Sequence, residues 1–149
     1  MTQLTIEDAP TLRADETVAS GLRTLLASSL PALPVVDADG VLVGLFGERE
    51  FLKALFPGYV GELHYAGFVS AQLDEALEMR ATCAQEQISQ HMNPEEVSVE
   101  EGSSGVGLAE VFLHHRVLVV PVVRDKRPVG VITREAFFRR LASRFLERL

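Results

Sequence analysis

One cysteine, Cys83, is all the chain offers in 149 residues, and that scarcity excludes an intrachain disulfide and a zinc site built on cysteines. The expected setting is a reducing compartment, the cytoplasm, and no metal site is expected. Long apolar runs are missing as well. The longest, Val117-Leu118-Val119-Val120-Pro121-Val122-Val123, carries a proline and stops far short of the roughly 18–20 residues that span a bilayer, so it reads as a buried strand. Met1 to Asp8 lacks the basic start and apolar stretch of a secretory signal, and no export is expected. Catalytic signatures are absent too: there is no HExxH, no GxSxG and no Walker loop, and Gly102-Ser103-Ser104-Gly105 lacks the following lysine and reads as a turn. No catalytic residue is assigned, and the chain is not expected to be an enzyme.

Basic residues are scarce in one stretch and crowded in another. Residues 62–101 hold nine acids against one base, Arg80, whereas residues 116–149 hold nine bases against three acids, within a net charge of -7. Duplex binding needs many phosphate contacts over a wide positive face, so an acidic chain with one basic end is a poor nucleic-acid binder. A small anionic ligand or an acidic partner surface suits it better. With 47% apolar and 23% charged residues the chain can bury a core and is expected to be globular.

The chain repeats itself. Leu33-Pro34-Val35-Val36 recurs as Val120-Pro121-Val122-Val123, and Val43-Gly44-Leu45-Phe46 as Val129-Gly130-Val131-Ile132. Phe51 and Leu55 align with Phe137 and Leu141 at a shift of 86, while Thr11-Leu12 and Leu26 align with Ser98-Val99 and Leu113 at a shift of 87. Each copy reads strand, helix, strand, turn, strand, helix. The first copy places these at Thr11 to Arg13, Thr17 to Ser28, Leu33 to Asp37, Val41 to Phe46 and Glu48 to Phe56. Asp15 is the expected N-cap of the first helix, and Leu22, Leu25 and Leu26 its inner face. Asp39-Gly40 supplies the hairpin turn. The second copy gives Val97 to Val99, Ser104 to His115, Leu118 to Arg124, Val129 to Thr133 and Arg134 to Glu147, with Asp125-Lys126-Arg127-Pro128 as the turn. Repeat one thus covers about 9–56, a connector about 57–91 and repeat two about 92–149. In the connector, Leu73, Leu77, Ala81, Ala84 and Ile88 recur at helical spacing opposite Asp74, Glu75 and Glu78, which predicts a docked connecting helix.

The order of these elements, the two Pro-Val-Val strands, the Gly-hydrophobic-hydrophobic strands running into helices, and His91-Met92-Asn93-Pro94 at the start of the second copy resemble CBS domains. The resemblance covers nearly the whole chain. It implies an α/β fold of two β-α-β-β-α repeats about a pseudo-twofold axis, with a helical insert between them and clefts between the repeats. It further implies an adenosine-type nucleotide, AMP, ADP or ATP, held by a Gly-h-h-Ser/Thr-x-x-Asp stretch. The first copy, Gly44-Leu45-Phe46-Gly47-Glu48-Arg49-Glu50, lacks the hydroxyl and has Glu50 in place of aspartate. The second, Gly130-Val131-Ile132-Thr133-Arg134-Glu135-Ala136, keeps the hydroxyl and loses the carboxylate.

One site per chain is therefore expected, with Thr133 and Arg134 on phosphate at a helix N-terminus. Val97, Val99, Val119 and Pro121 would line the base pocket, and Glu50 could reach a ribose only if the ligand shifts. The alternative at Thr133 is a simple helix cap beside a solvated Arg134. CBS pairs commonly dimerise through the helices after the last strand of each repeat. Phe51, Leu52 and Leu55, with Phe137, Phe138, Leu141 and Phe145, form the expected homodimer face, opposite Arg140, Arg144 and Arg148; the alternative is that they only complete the core. His114-His115 diverge too far on a helix to share an ion, and Cys83 and His91, two turns apart with no basic neighbour, imply an ordinary thiol. The expected role is a regulatory, ligand-sensing module read by a partner protein, without nucleic acid or membrane. The alternative is a ligand-free dimeric scaffold with degenerate clefts.

Overall fold

The computed structural model describes residues 6–56, 73–94 and 97–149. Two three-stranded sheets carry the fold. Strand β1 (Leu12–Arg13) runs parallel to β2 (Ala32–Val36), which pairs antiparallel with β3 (Leu42–Gly47); β4 (Val99–Glu100), β5 (Val119–Arg124) and β6 (Arg127–Thr133) repeat the pattern. The register shifts at Val35/Val36 in one sheet and at Val122/Val123 in the other. Helices α1 (Val18–Ser28) and α2 (Glu48–Leu55) belong to the first copy, α3 (Leu73–Met79) to the connector, and α4 (Gly105–His114) and α5 (Arg134–Leu146) to the second copy.

Alternation inside each repeat explains the layering. The Pro-Val-Val strands are buried along their length, as are Leu45, Phe46, Val131 and Ile132; burial on both faces requires cover from helices and from the other repeat. Leu12, Leu33, Val35 and Phe46 form one core with Val18 and Leu25 of α1, and Val120, Val122 and Ile132 form the other with Leu108 of α4. Each such side chain contributes about 1.5–3 kcal/mol when fully buried.

The repeats are laced together by their leading segments. Glu7, ahead of repeat one, exchanges two backbone hydrogen bonds with Val131 of β6, at 2.8 and 2.9 Å. Asn93, ahead of repeat two, does the same with Leu45 of β3, at 2.8 and 3.0 Å. This crossing is what the glycines beside those residues serve. A Cβ on Gly44 would lie 2.6 Å from the Asn93 carbonyl oxygen, and one on Gly130 would lie 2.8 Å from that of Glu7.

Three local expectations are corrected. Thr17, not Asp15, caps α1, its hydroxyl accepting from the Ser20 amide at 3.1 Å; Asp15 instead pairs with Arg13 on the surface. Leu26 points outward at 80% exposure, leaving Leu25 as the buried contact. Strand β6 begins at Arg127 because Asp125 and Lys126 both adopt positive φ, 52° and 67°, and turn the chain in two residues.

The connector also departs from a single helix. α3 ends at Met79, and short 3-10 turns follow at Ala81–Gln85 and Ile88–Gln90. Main-chain pairing to repeat one explains the break: the Val18 amide donates to Glu86, and the Ile88 and Ser89 amides donate to Glu16 and Ala14, all at 2.9 Å. A continuous α-helix would have consumed those groups internally.

Candidate functional site

Two clefts sit where the C-terminal end of one repeat's first helix faces the strand-to-helix junction of the other repeat. The first, about 1040 Å³, lies between Leu25 to Pro31 and the Thr133–Arg134 junction, with Glu7 at its side. The second, about 670 Å³, lies between His114 to Val119 and the Glu48 to Lys53 segment, with His91 to Pro94 in the place of Glu7. Both fall near the size range of small-molecule sites, about 300–1,000 Å³.

At the first cleft, Thr133 accepts the Ala136 amide at 3.1 Å and caps α5. The Arg134 amide is bonded to the Leu118 carbonyl at 2.9 Å. Two of the first three amides of α5 are thus committed, and the open helix N-terminus expected for phosphate is largely closed. The Arg134 side chain is exposed, while Arg139 pairs with Glu135 at 3.2 Å. Three acids, Glu7, Glu48 and Glu135, face two bases here.

The second cleft has the opposite balance. Arg49, Lys53 and Arg116 line it against Glu48 and Glu50, and His91, His114 and His115 add imidazoles. The three cationic side chains are exposed and make no ion pair among the described residues. Leu45, Met92, Val117 and Val119 supply an apolar floor. Glu50 turns back on its own helix, accepting the Gly47 amide at 2.9 Å. Burial pushes its carboxyl above the usual range, against the lowering pull of its backbone hydrogen bonds and of Lys53 and Arg49.

The expected site residues are therefore divided. Thr133 and Arg134 share the first cleft and Glu50 lies in the second; Val119 lines the second, and Val97, Val99 and Pro121 line neither. Val97 is instead part of the second core, with Val99 packed against it. The residues that sequence reasoning missed are Arg49, Lys53 and Arg116. A signal existed, since Arg49 occupies the motif position next to Glu48, but only the fold brings Arg116 across from the other repeat.

The expected dimer face is also split. Leu55 is buried and Phe51 packs on the first core; Phe137 packs on the second core and stacks on Phe112 with ring centroids 5.5 Å apart. Leu52, Phe138, Leu141 and Phe145 stay outside, at 55%, 64%, 53% and 63% exposure. α5 is rotated from the expected setting: Arg140 and Arg144 are half-buried, and Arg140 Nε is buried without a hydrogen-bond partner among the described residues.

Beside the second cleft, the connector brings Cys83 and His91 together rather than leaving them two turns apart on a helix. Sγ to Nε2 is 4.0 Å, and His91 Nε2 lies 2.8 Å from Glu86 Oε1. A basic neighbour exists after all, Arg80, 3.9 Å from Glu86. Burial, helped by the Glu86 carboxylate, still pushes the Cys83 thiol up, and the His91 hydrogen bond holds the Glu86 carboxyl below the usual range. A thiol so placed is a poor nucleophile.

Two pseudo-equivalent clefts between interlaced repeats define a tandem-repeat module. The chain belongs to the CBS domain family: the family model for the CBS domain matches residues 2–57 and 86–143. A CBS domain-containing protein of Dictyostelium discoideum is 29% identical over 133 residues, covering 89% of this chain and 83% of that protein. Among solved structures, the CBS domain of a CBS domain-containing membrane protein from Sphaerobacter thermophilus aligns with TM-score 0.71 and 26% identity, over 92% of this chain and 87% of that one. CBSX2, solved in complex with AMP, aligns with TM-score 0.66 and 18% identity, over 93% and 92%. No helix among the described residues is long and apolar enough to cross a membrane.

Proposed function

We propose that this chain is a regulatory ligand-sensing module that takes a phosphate-bearing nucleotide of the adenosine class in the second cleft. The observation that carries this reading is the convergence of Arg49 and Lys53 from one repeat with Arg116 from the other, all without an ion pair among the described residues, above an apolar floor. Phosphate would meet three cations supplied by both repeats, and an aromatic base would lie on Leu45, Met92 and Val117. The family resemblance and the AMP complex of CBSX2 make adenosine nucleotides the first to test. A ligand bridging the two repeats shifts the population toward the orientation that binds it best, and a partner protein reads that orientation.

Calorimetry and thermal shift with AMP, ADP, ATP and inorganic phosphate test this. A nucleotide present at a hundred times its Kd should add about 2.7 kcal/mol to stability. That gain should vanish in a Lys53→Ala/Arg116→Ala variant and persist in Arg134→Ala. Dependence on Arg134 alone would move the ligand to the first cleft. Absence of binding at millimolar concentration would reject a sensor of these ligands.

A second reading has its own support. Both motif positions, Glu50 and Thr133, are engaged in capping their own helices, while Leu52, Phe138, Leu141 and Phe145 expose apolar surface. These features suit a homodimeric interaction module whose clefts stay empty. Nucleotide-independent dimerisation, with no thermal shift, would favour it.

A further inference from the structure

We propose that Cys83, Glu86 and His91 form a binding site for one zinc-class divalent cation, at the edge of the second cleft that His91 also lines and able to staple the two short turns of the connector to each other. Their donor atoms, Sγ, a carboxylate oxygen and Nε2, all lie within 4.8 Å of one another. Zinc with one sulfur, one nitrogen and one oxygen ligand would place neighbouring donors about 3.3–3.6 Å apart, from tetrahedral geometry and the usual bond lengths of about 2.0–2.3 Å. The observed 4.0 Å from sulfur to nitrogen and 2.8 Å from nitrogen to oxygen lie on either side of those values. Shifts of about half an ångström would bring these two separations to the expected values.

The backbone already holds the ligands in place. Cys83 is buried at 3% exposure in the first core, the Glu86 carbonyl is fixed by the Val18 amide, and the His91 amide donates to Ile88. Ile88 itself packs over Gly21 of α1. Glu86 is more open, with its side chain 39% exposed against 17% for His91, which gives a metal a route in and leaves a fourth position for water. Arg80 Nη2 and Nε both donate to the Ala54 carbonyl, at 2.8 and 3.1 Å, which anchors the guanidinium beside Glu86, with Nη2 3.9 Å from Oε1.

Binding is balanced in protons. The metal takes the Cys83 sulfur as thiolate, whose proton leaves to solvent, and the lone pair of neutral His91 Nε2, whose proton is carried on Nδ1 instead. One proton is released per metal bound.

The test uses the full chain stripped with a chelator and titrated with Co²⁺. One equivalent should develop a thiolate-to-cobalt charge-transfer band, lost in Cys83→Ser and in His91→Ala, weakened in Glu86→Gln, and unchanged in His114→Ala/His115→Ala. Zn²⁺ should displace the cobalt and raise the Tm of the unmodified chain but not of His91→Ala. Circular dichroism separates loss of the ligand from loss of the fold; if Cys83→Ser unfolds, His91→Ala and Glu86→Gln carry the decision. No band, or cobalt binding indifferent to His91 and Glu86, overturns the proposal.

Discussion

Glu50 shows how a single side chain can be put to a local use that its motif position does not announce. Its carboxyl is held above the usual range by burial, so the folded chain binds that proton more tightly than the unfolded chain does. The stabilisation from this group is complete below the unfolded pKa and is lost as pH rises through the folded one. Glu50→Gln stays neutral and keeps an acceptor for the Gly47 amide. Its unfolding free energy should gain on that of the unmodified chain as pH is raised from about 4 to 7, read from urea denaturation at each pH. A flat difference would mean that the carboxylate pays no burial penalty. At this scale the sequence was only partly legible. Residue types marked the strand-to-helix junctions correctly, but whether Thr133 and Glu50 face a ligand or their own helix depends on amide directions that no spacing encodes. Arg116 was invisible as a cleft residue because its partners Arg49 and Lys53 lie in the other repeat.

Helix termini and strand edges decide the elements. Thr17, Ser104 and Thr133 each bond the third amide beyond them, at 3.1 Å in every case. Thr17→Ala should therefore cost about 1 kcal/mol in chemical denaturation. Asp15→Ala should cost less than about 0.5 kcal/mol, since it removes only an exposed pair. Equal losses would reassign the cap. Periodicity made most elements legible because strands and helices in each repeat bury one consistent set of side chains. The connector failed that reading. Its apolar spacing from Leu73 to Ile88 is helical, yet only Cys83 and Ile88 of that stripe region reach the core, and the groups that would have continued a helix pair with residues 14–18 instead.

At the scale of the whole molecule, the outward face of α5 exposes large apolar side chains that call for burial. Phe138, Leu141 and Phe145 occupy it while Arg140 and Arg144 turn inward, and we propose that a second copy covers it together with Leu52. Light scattering at micromolar concentration should return a dimer mass, and Phe138→Glu/Phe145→Glu should return a monomer that keeps its circular dichroism spectrum. Phe137→Ala, by contrast, should destabilise the fold by about 2 kcal/mol, below the range of about 3–5 for a fully buried phenylalanine. A monomeric parent would leave the exposed stripe without this explanation. The lacing of Glu7 to Val131 and Asn93 to Leu45 has a different consequence. Each repeat completes its outer strand with a segment that precedes the other repeat, so neither half is closed when separated, and β3 or β6 would be left as an open edge. Two partly opened chains could exchange halves through the same four hydrogen bonds, giving an intertwined form with no new contact to design.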